Sequence, residues 1–275
     1  MASESVLKRT PKEYWYAMII RVGVMLFLLL YFGLTIVLLY FGSKGKYRKL
    51  LRIPGLTLFE EGVGRATEMG RPVLYSTGDG SGGLSSDSAP HHITGLNILG
   101  YVAGLAAQRK TPFYFVTPHP ELIPLARGIV KDAFTVEGVQ DLYSDDLIRY
   151  YGGAFNAAAI REMENDRPGV IFWMGILWAN ALIVSETGNY LGAMQIAGQP
   201  DRFNLPFLIT TCDYVLMAEE MYVTGAHLSG NKALVGTIPV LEITKILFIV
   251  LAVVGSVLAT FGVNWLDQLF AAGGV

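Results

Sequence analysis

A run of 20 residues without a charged side chain, residues 22–41, places the strongest constraint on what this chain can fold into. An α-helix rises about 1.5 Å per residue, so a helix of this length covers the roughly 30 Å hydrocarbon core of a bilayer. Tyr14 and Tyr40 lie near its ends, as is typical of membrane interfaces. A cleaved signal peptide is the alternative, but its apolar core is shorter and ends in small residues. The run therefore predicts a retained membrane helix.

A second apolar run, residues 246–263, contains 18 uncharged residues. Its Ile, Leu and Val residues occupy every face of a helix, so no polar stripe is left for a water-facing side. A buried core helix is the alternative, and a second membrane crossing is favoured. The predicted organisation is a juxtamembrane segment 1–21, a transmembrane helix 22–42, a basic linker 43–54, a soluble domain 55–238, a transmembrane helix 239–265 and a tail 266–275.

The distribution of Lys and Arg predicts the side of the membrane on which the central domain lies. Seven Lys and Arg residues lie between the two apolar runs and near one of them. Four lie before the first run, and none lies after the second. By the positive-inside rule, this distribution favours an integral membrane protein with a cytoplasmic domain. Five of the cations form a patch expected to face lipid headgroups, namely Lys44, Lys46, Arg48, Lys49 and Arg52.

The composition excludes several classes of protein. Hydrophobic residues make up 52% of the chain and charged residues only 16%, which excludes a disordered polar chain. The net charge of −2 provides no general basic surface for nucleic acid. The single cysteine, Cys212, excludes an internal disulfide and a multi-cysteine metal site. The lipid bilayer is the partner that the two apolar runs predict. No cofactor is predicted.

Between the two apolar runs, short buried-strand patterns alternate with helical patterns. Strands are predicted at 72–77, 112–117, 170–174, 193–197 and 205–211, and helices at 91–108, 121–133, 145–165, 177–191 and 214–228. This alternation is typical of an α/β, Rossmann-like fold with a mostly parallel sheet and helices on both faces. Residues 168–185 are uncharged, so a third crossing is an alternative there. Their order, a Pro-Gly turn followed by β-branched residues, favours a strand and then a helix.

Polar residues collect where the predicted strands end. Ligands of open parallel sheets bind beyond the carboxyl ends of the strands, so a pocket is expected there. The alternative is that these loops are polar only because they cap the following helices. The candidate ligand-binding residues are Thr77, Gly78, Asp79, Gly80, Gly83, Thr117, His119, Glu121, Cys212 and Asp213, with Glu186 in the helix after the third strand.

Residues 78–83 match the pattern G-x-G-x-x-G, in which glycines bring backbone N–H groups close to a pyrophosphate. The next helical pattern does not begin directly after them, which favours a contact loop or lid over a dinucleotide site. His91 or His92 with Asp87, His119 and Glu121 could converge on zinc, but no recognised ligand spacing is present. No metal is predicted. A buried Cys212 is favoured over a nucleophile, and the absence of a complete catalytic motif argues against an enzyme.

Four blocks of sequence carry a resemblance to a known family. They are residues 70–78 (GRPVLYSTG), 98–103 (ILGYVA), 181–198 (from ALIVSETG to GAMQIAG) and 205–222 (from LPF through CDY to EEMY). This string resembles an uncharacterised domain-of-unknown-function family of bacterial and archaeal membrane proteins. The resemblance implies membrane anchoring and a domain over about 55–235, with no assigned reaction. It places Glu186, Gln195 and Asp213 within shared blocks, as ligand contacts or as supports of the fold.

These patterns predict a membrane-anchored scaffold or assembly protein that associates with copies of itself or with a membrane complex. Anchoring raises the effective concentration, so weak contacts suffice. The alternative is a nucleotide-binding or small-ligand-binding domain, or an enzyme, that uses the loop at residues 78–83. Transport is not predicted, because neither apolar run contains a charge that would mark a polar pathway.

Overall fold

A computed structural model describes residues 25, 28–37, 39–40, 56–80, 82–178, 180–230, 232–235 and 238–262. The predicted juxtamembrane segment, the tail and the basic residues Lys44, Lys46, Arg48, Lys49 and Arg52 lie outside these residues. Internal contacts divide the chain into two units. One comprises residues 1–50 and 232–275, and the other comprises residues 51–231.

The elements are numbered in chain order. The helices are α1 (Leu28–Val37), α2 (Leu56–Glu68), α3 (Ala89–Gln108), α4 (Leu122–Val136), α5 (Phe155–Asp166), α6 (Ala181–Tyr190), α7 (Leu205–Thr211), α8 (Glu219–Leu228), α9 (Lys232–Val235) and α10 (Ile238–Thr260). The strands are β1 (Val73–Gly78), β2 (Phe113–Thr117), β3 (Ile148–Tyr150), β4 (Val170–Ile176), β5 (Met194–Gln199) and β6 (Tyr214–Met217).

The strands of the 51–231 unit form a parallel sheet in the order β3-β2-β1-β4-β5-β6, counted over its described residues. The chain moves outward from β1 to β3 and then returns to β4 on the other side of β1. This is the doubly wound order of Rossmann-like domains. Every residue of β1, β2, β4 and β5 is buried, because helices cover both faces of the sheet. The predicted α/β fold with a mostly parallel sheet is confirmed.

Each face of the sheet has its own hydrophobic core. Phe172 and Trp173 are consecutive residues of β4, so their side chains point to opposite faces. Phe172 stacks on Phe59 of α2 with ring centroids 5.4 Å apart, in the core that α3, α4 and α8 complete. Trp173 packs in the second core with Phe155 of α5 and Leu208 of α7. Both faces of the sheet are therefore packed against helices.

The prediction of a strand over 205–211 is wrong, because these residues form α7. Asn204 and Leu208 are buried while the residues between them are not, which is the spacing of a helix rather than of a strand. Pro206 in the first turn also suits a helix start. The next strand is β6, so the helix predicted over 214–228 begins only at Glu219.

The helix predicted over 145–165 is confirmed only from Phe155 onward and is wrong before it. A 3₁₀ turn at Asp145–Leu147 leads into the short edge strand β3, and α5 begins only at Phe155. Ser144 caps this turn, since its Oγ accepts the N–H of Asp146 at 3.3 Å. Residues 168–185 form β4 and the first part of α6, so the strand-then-helix interpretation of this apolar stretch is confirmed.

The other unit contains the apolar helices. Among the described residues, one helix is long and apolar enough to cross a membrane: residues Glu242–Thr260 of α10, with a mean hydropathy of 2.3. α10 overlaps the transmembrane helix predicted over 239–265 at residues 239–260, and residues 263–265 of that prediction lie outside the described residues. α1 is apolar but covers ten described residues, and the rest of the crossing predicted over 22–42 lies mostly outside the described residues.

Candidate functional site

The candidate site lies at the carboxyl ends of β1 and β4, where the strand order reverses. β1 ends at Gly78, whose φ of +80° belongs to the left-handed region that glycine adopts readily. The N–H groups of Asp79 and Gly80 then both donate to the carbonyl oxygen of Ile176, at 2.9 and 3.0 Å. The glycine-rich loop is therefore folded onto the end of β4.

Asp79 joins three parts of the chain at this edge. One carboxylate oxygen accepts the backbone N–H of Trp178 at 2.9 Å, just after β4. The other accepts the side-chain amide of Asn156, on α5, at 3.4 Å. The predicted candidate Asp79 is thus a positioning group, which holds the loop after β4 and the start of α5 against the end of β1.

Two histidines lie against each other beside this loop. The ring of His119, which follows β2, meets the ring of His92 on α3 edge-on, with centroids 4.8 Å apart. The Nε2 atom of His92 lies 3.4 Å from the carbonyl oxygen of Gly80. Burial lowers the pKa of His92 to about 4, with a further lowering from His119, so His92 is neutral at pH 7. His91 points elsewhere and forms a hydrogen bond with the hydroxyl of Tyr222.

Glu121 closes the other side of the loop. Its Oε1 atom accepts the N–H of Leu84 at 3.2 Å. A Cβ atom placed on Gly83 would overlap this oxygen and would lie 3.2 Å from Nδ1 of His119. Only glycine fits at position 83 while the carboxylate occupies this place.

Several buried polar atoms at this edge have no hydrogen-bond partner. Among the described residues, six buried side-chain polar atoms lack one. Four of them belong to this edge: Thr77 Oγ1, His92 Nδ1, His119 Nε2 and Asn156 Oδ1. Buried polar groups in proteins are nearly all hydrogen-bonded, so such a concentration marks a place where a ligand or ordered water supplies the partners. We call Thr77, Asp79, His92, His119, Glu121 and Asn156 the strand-end cluster.

The structure brings together most of the predicted candidates. Thr117 also lies here, because its hydroxyl accepts the N–H of His119 at 3.2 Å. His92, which the sequence suggested only as a metal ligand, and Asn156, which it did not suggest, complete the cluster. Asn156 lies 77 residues from Asp79, and no local pattern connects them. The candidates that lie together are Thr77, Gly78, Asp79, Gly80, Gly83, Thr117, His119 and Glu121.

Three predicted candidates do not belong to this site. Cys212 and Asp213 precede β6 and therefore lie at the amino ends of the strands, where Asp213 accepts the N–H of Gln195 at 2.7 Å. Burial raises the pKa of the Cys212 thiol to about 12, so it is not a thiolate nucleophile. Glu186 lies on the exposed side of α6. Cys212 and Asp213 lie away from the expected edge because the strand expected before residue 212 is a helix.

Metal-ligand groups do not mark the described part of this edge. No group of three or more His, Cys, Asp or Glu residues in the described part of the chain is arranged to hold a metal ion. A cavity of about 450 Å³ lies at the amino ends of β2 and β3, beside Tyr114 and Arg149. A groove of about 810 Å³ lies between α3 and α4. Neither of these two is lined by residues of the strand-end cluster. The unpaired buried polar atoms are the observation that marks the candidate site.

Comparison with known families gives a match over most of the chain. The profile of a family described as "Domain of unknown function (DUF6754)" matches residues 11–270, a span that includes α1, α10 and the whole sheet. Comparison with curated proteins and with solved structures gives no match. Because the family profile covers far more than half of the sequence, the chain belongs to the DUF6754 family of domains of unknown function.

Proposed function

We propose that the α/β domain binds a small polar molecule at the strand-end cluster, and that the apolar helices anchor this domain at a membrane. The observation that carries the proposal is the group of four buried polar atoms without partners at one edge of the sheet. Their position at the reversal of strand order supports it, because open α/β sheets bind ligands there.

The four unpaired polar atoms have an energetic cost. A buried polar group without a partner costs about 1–3 kcal/mol. A ligand or ordered water that reaches Thr77, His92, His119 and Asn156 removes this cost. The Oδ1 atom of Asn156 can only accept, whereas the hydroxyl of Thr77 can donate and accept. A molecule with both donors and acceptors, such as one bearing hydroxyl or amide groups, matches this set.

A test of ligand binding uses Thr77→Val, which removes the hydroxyl and keeps the shape of the side chain. We expect a screen of nucleosides, sugars and amides by thermal shift, on the full chain in detergent, to return a stabilising compound. Thr77→Val should then weaken its binding by about tenfold, because about 1.4 kcal/mol corresponds to a factor of ten. Isothermal titration calorimetry measures this change.

The matched control is Thr111→Val. The hydroxyl of Thr111 is also buried but pairs with that of Thr67 at 2.6 Å, outside the strand-end cluster. This control should leave the dissociation constant unchanged within about twofold. An empty screen, or equal weakening by both variants, contradicts the proposal.

A second candidate function is the membrane-anchored scaffold, which self-associates or joins a larger membrane complex. Exposed apolar side chains on α6 and α7 favour it, since Ile183 is 54% and Ile209 is 52% exposed. Clusters of exposed apolar residues often mark contact surfaces. The same screen separates the two functions, because a scaffold without a ligand site returns no stabilising compound.

The membrane anchor is tested by fractionation. The apolar window of α10 is not buried inside the protein, which supports contact with lipid. After alkaline carbonate washing, we expect the full chain to stay in the membrane pellet while a peripheral control protein is released. Protease added outside intact cells should leave a cytoplasmic domain uncut. Release of the chain by carbonate contradicts the anchor, and digestion from outside contradicts the assigned side.

A further inference from the structure

We infer that Glu121 occupies the position that a ligand phosphate takes in glycine-loop nucleotide sites, and that it thereby excludes anionic ligands from the strand-end cluster. This inference rests on the proposed function and deepens it by naming the ligand class. It makes Glu121 a residue that determines ligand specificity by exclusion, rather than one that binds the ligand.

The loop has the sequence pattern of a phosphate site but uses it differently. In G-x-G-x-x-G sites, a helix begins at the loop, and its first N–H groups bind the phosphate. Here a 3₁₀ turn at Gly83–Ser85 follows the loop, and α3 begins only at Ala89. The N–H of Leu84, directly after the last glycine of the pattern, donates to the carboxylate of Glu121. An anion from the chain itself already fills this place.

The glycine at position 83 is explained by the same contact. Its φ of +51° is in the left-handed region, and any side chain there would collide with the Glu121 carboxylate. In a nucleotide site, the absence of a side chain lets a phosphate approach the backbone. In this chain, it lets a carboxylate approach instead.

The charges around the cluster oppose a second anion. Asp79 and Glu121 are both acidic, and neither takes part in the ion pairs that the structure describes, which involve other carboxylates. His92 is neutral at pH 7, because its pKa is lowered to about 4. A phosphate would therefore meet two carboxylates in a cluster that contains no Lys or Arg, and like charges held close together repel. Hydroxyl-bearing or amide-bearing molecules meet no such repulsion.

The test compares Glu121→Gln with Glu121→Ala, using inorganic phosphate and sulfate as probes. Glutamine keeps the acceptor for the Leu84 N–H and removes the charge, whereas alanine removes both. Calorimetric titration of the full chain in detergent is expected to show no phosphate binding to the wild type. Both variants should gain binding, at least tenfold tighter than the wild-type limit, and the gain should be larger for alanine because it also frees the N–H.

The control is Glu137→Gln, which removes an exposed carboxylate at the end of α4 and should leave phosphate binding unchanged. Phosphate binding by the wild type that equals that of both variants overturns the inference, as does a failure of both folded variants to gain it. Far-UV circular dichroism establishes that the variants are folded. If the variants gain phosphate while the screen of uncharged compounds is empty, the proposed function fails but the role of Glu121 stands.

Discussion

Replacing Gly78 with alanine is expected to destabilise the α/β domain by about 3–5 kcal/mol. Part of this loss is conformational, because a left-handed φ costs an L-residue roughly 1–2 kcal/mol. The larger part is steric, since a Cβ atom on Gly78 would overlap the carbonyl oxygen of Ile176 and lie 2.7 Å from its carbonyl carbon. That carbonyl accepts two N–H groups of the loop, so it cannot move without breaking both hydrogen bonds.

Gly70→Ala separates the two contributions. Gly70 also has a positive φ, +63°, but a Cβ atom there would meet nothing within 4 Å. We expect a loss of only about 1–2 kcal/mol for this control, from the backbone conformation alone. Urea denaturation of the full chain in detergent, followed by circular dichroism, measures both free energies of unfolding. Equal losses for the two variants are inconsistent with the close approach of the loop to β4.

Replacing Gln195 with leucine is the second change with a large expected effect. Gln195 is fully buried on β5. Its Oε1 accepts the indole N–H of Trp173 at 2.9 Å, and its Nε2 donates to the carbonyl oxygens of Ser185 and Thr211 at 2.6 and 3.1 Å. Leucine has a similar size but leaves all three groups without this partner. At about 1–3 kcal/mol for each of these three unmet buried groups, a loss of at least about 3 kcal/mol is expected.

The measurement is again urea denaturation, with Gln108→Leu as the control at an exposed position at the end of α3. The control should change the free energy of unfolding by less than about 0.5 kcal/mol. Adding Trp173→Phe to the Gln195→Leu chain removes the unmet indole N–H, so the two losses should not be additive. Strict additivity would show that the hydrogen bond between these side chains contributes nothing.

The hydrogen bonds around Gln195 also indicate a structural role for two residues of the shared sequence blocks. Gln195 connects β4, α6 and α7 through side-chain hydrogen bonds, and Asp213 holds the backbone of Gln195 at the amino end of β5. Both therefore support the fold, and neither belongs to the strand-end cluster. Of the two interpretations, ligand contact or support of the fold, these contacts favour the second.

The sequence alone predicted the features that depend on short stretches of chain. A long uncharged apolar run, such as the one in α10, indicates a helix from its own length and composition without reference to the rest of the chain. The strands β1, β2, β4 and β5 were predicted for a related reason: central parallel strands are buried on both faces and read as continuous apolar runs. The alternation of these strands with α3, α4 and α6 then indicated the fold class.

Only the tertiary structure decided the features that depend on neighbours distant in sequence. The short apolar segment 205–211 is compatible with either a strand or a helix, and packing of Leu208 in the second core makes it α7. That choice moves Cys212 and Asp213 to the opposite edge of the sheet from Asp79. Asp79 contacts Asn156, and Glu121 contacts the loop at Gly83, because the strand order places these segments side by side. Strand order arises from long-range packing, which no local pattern of residues encodes.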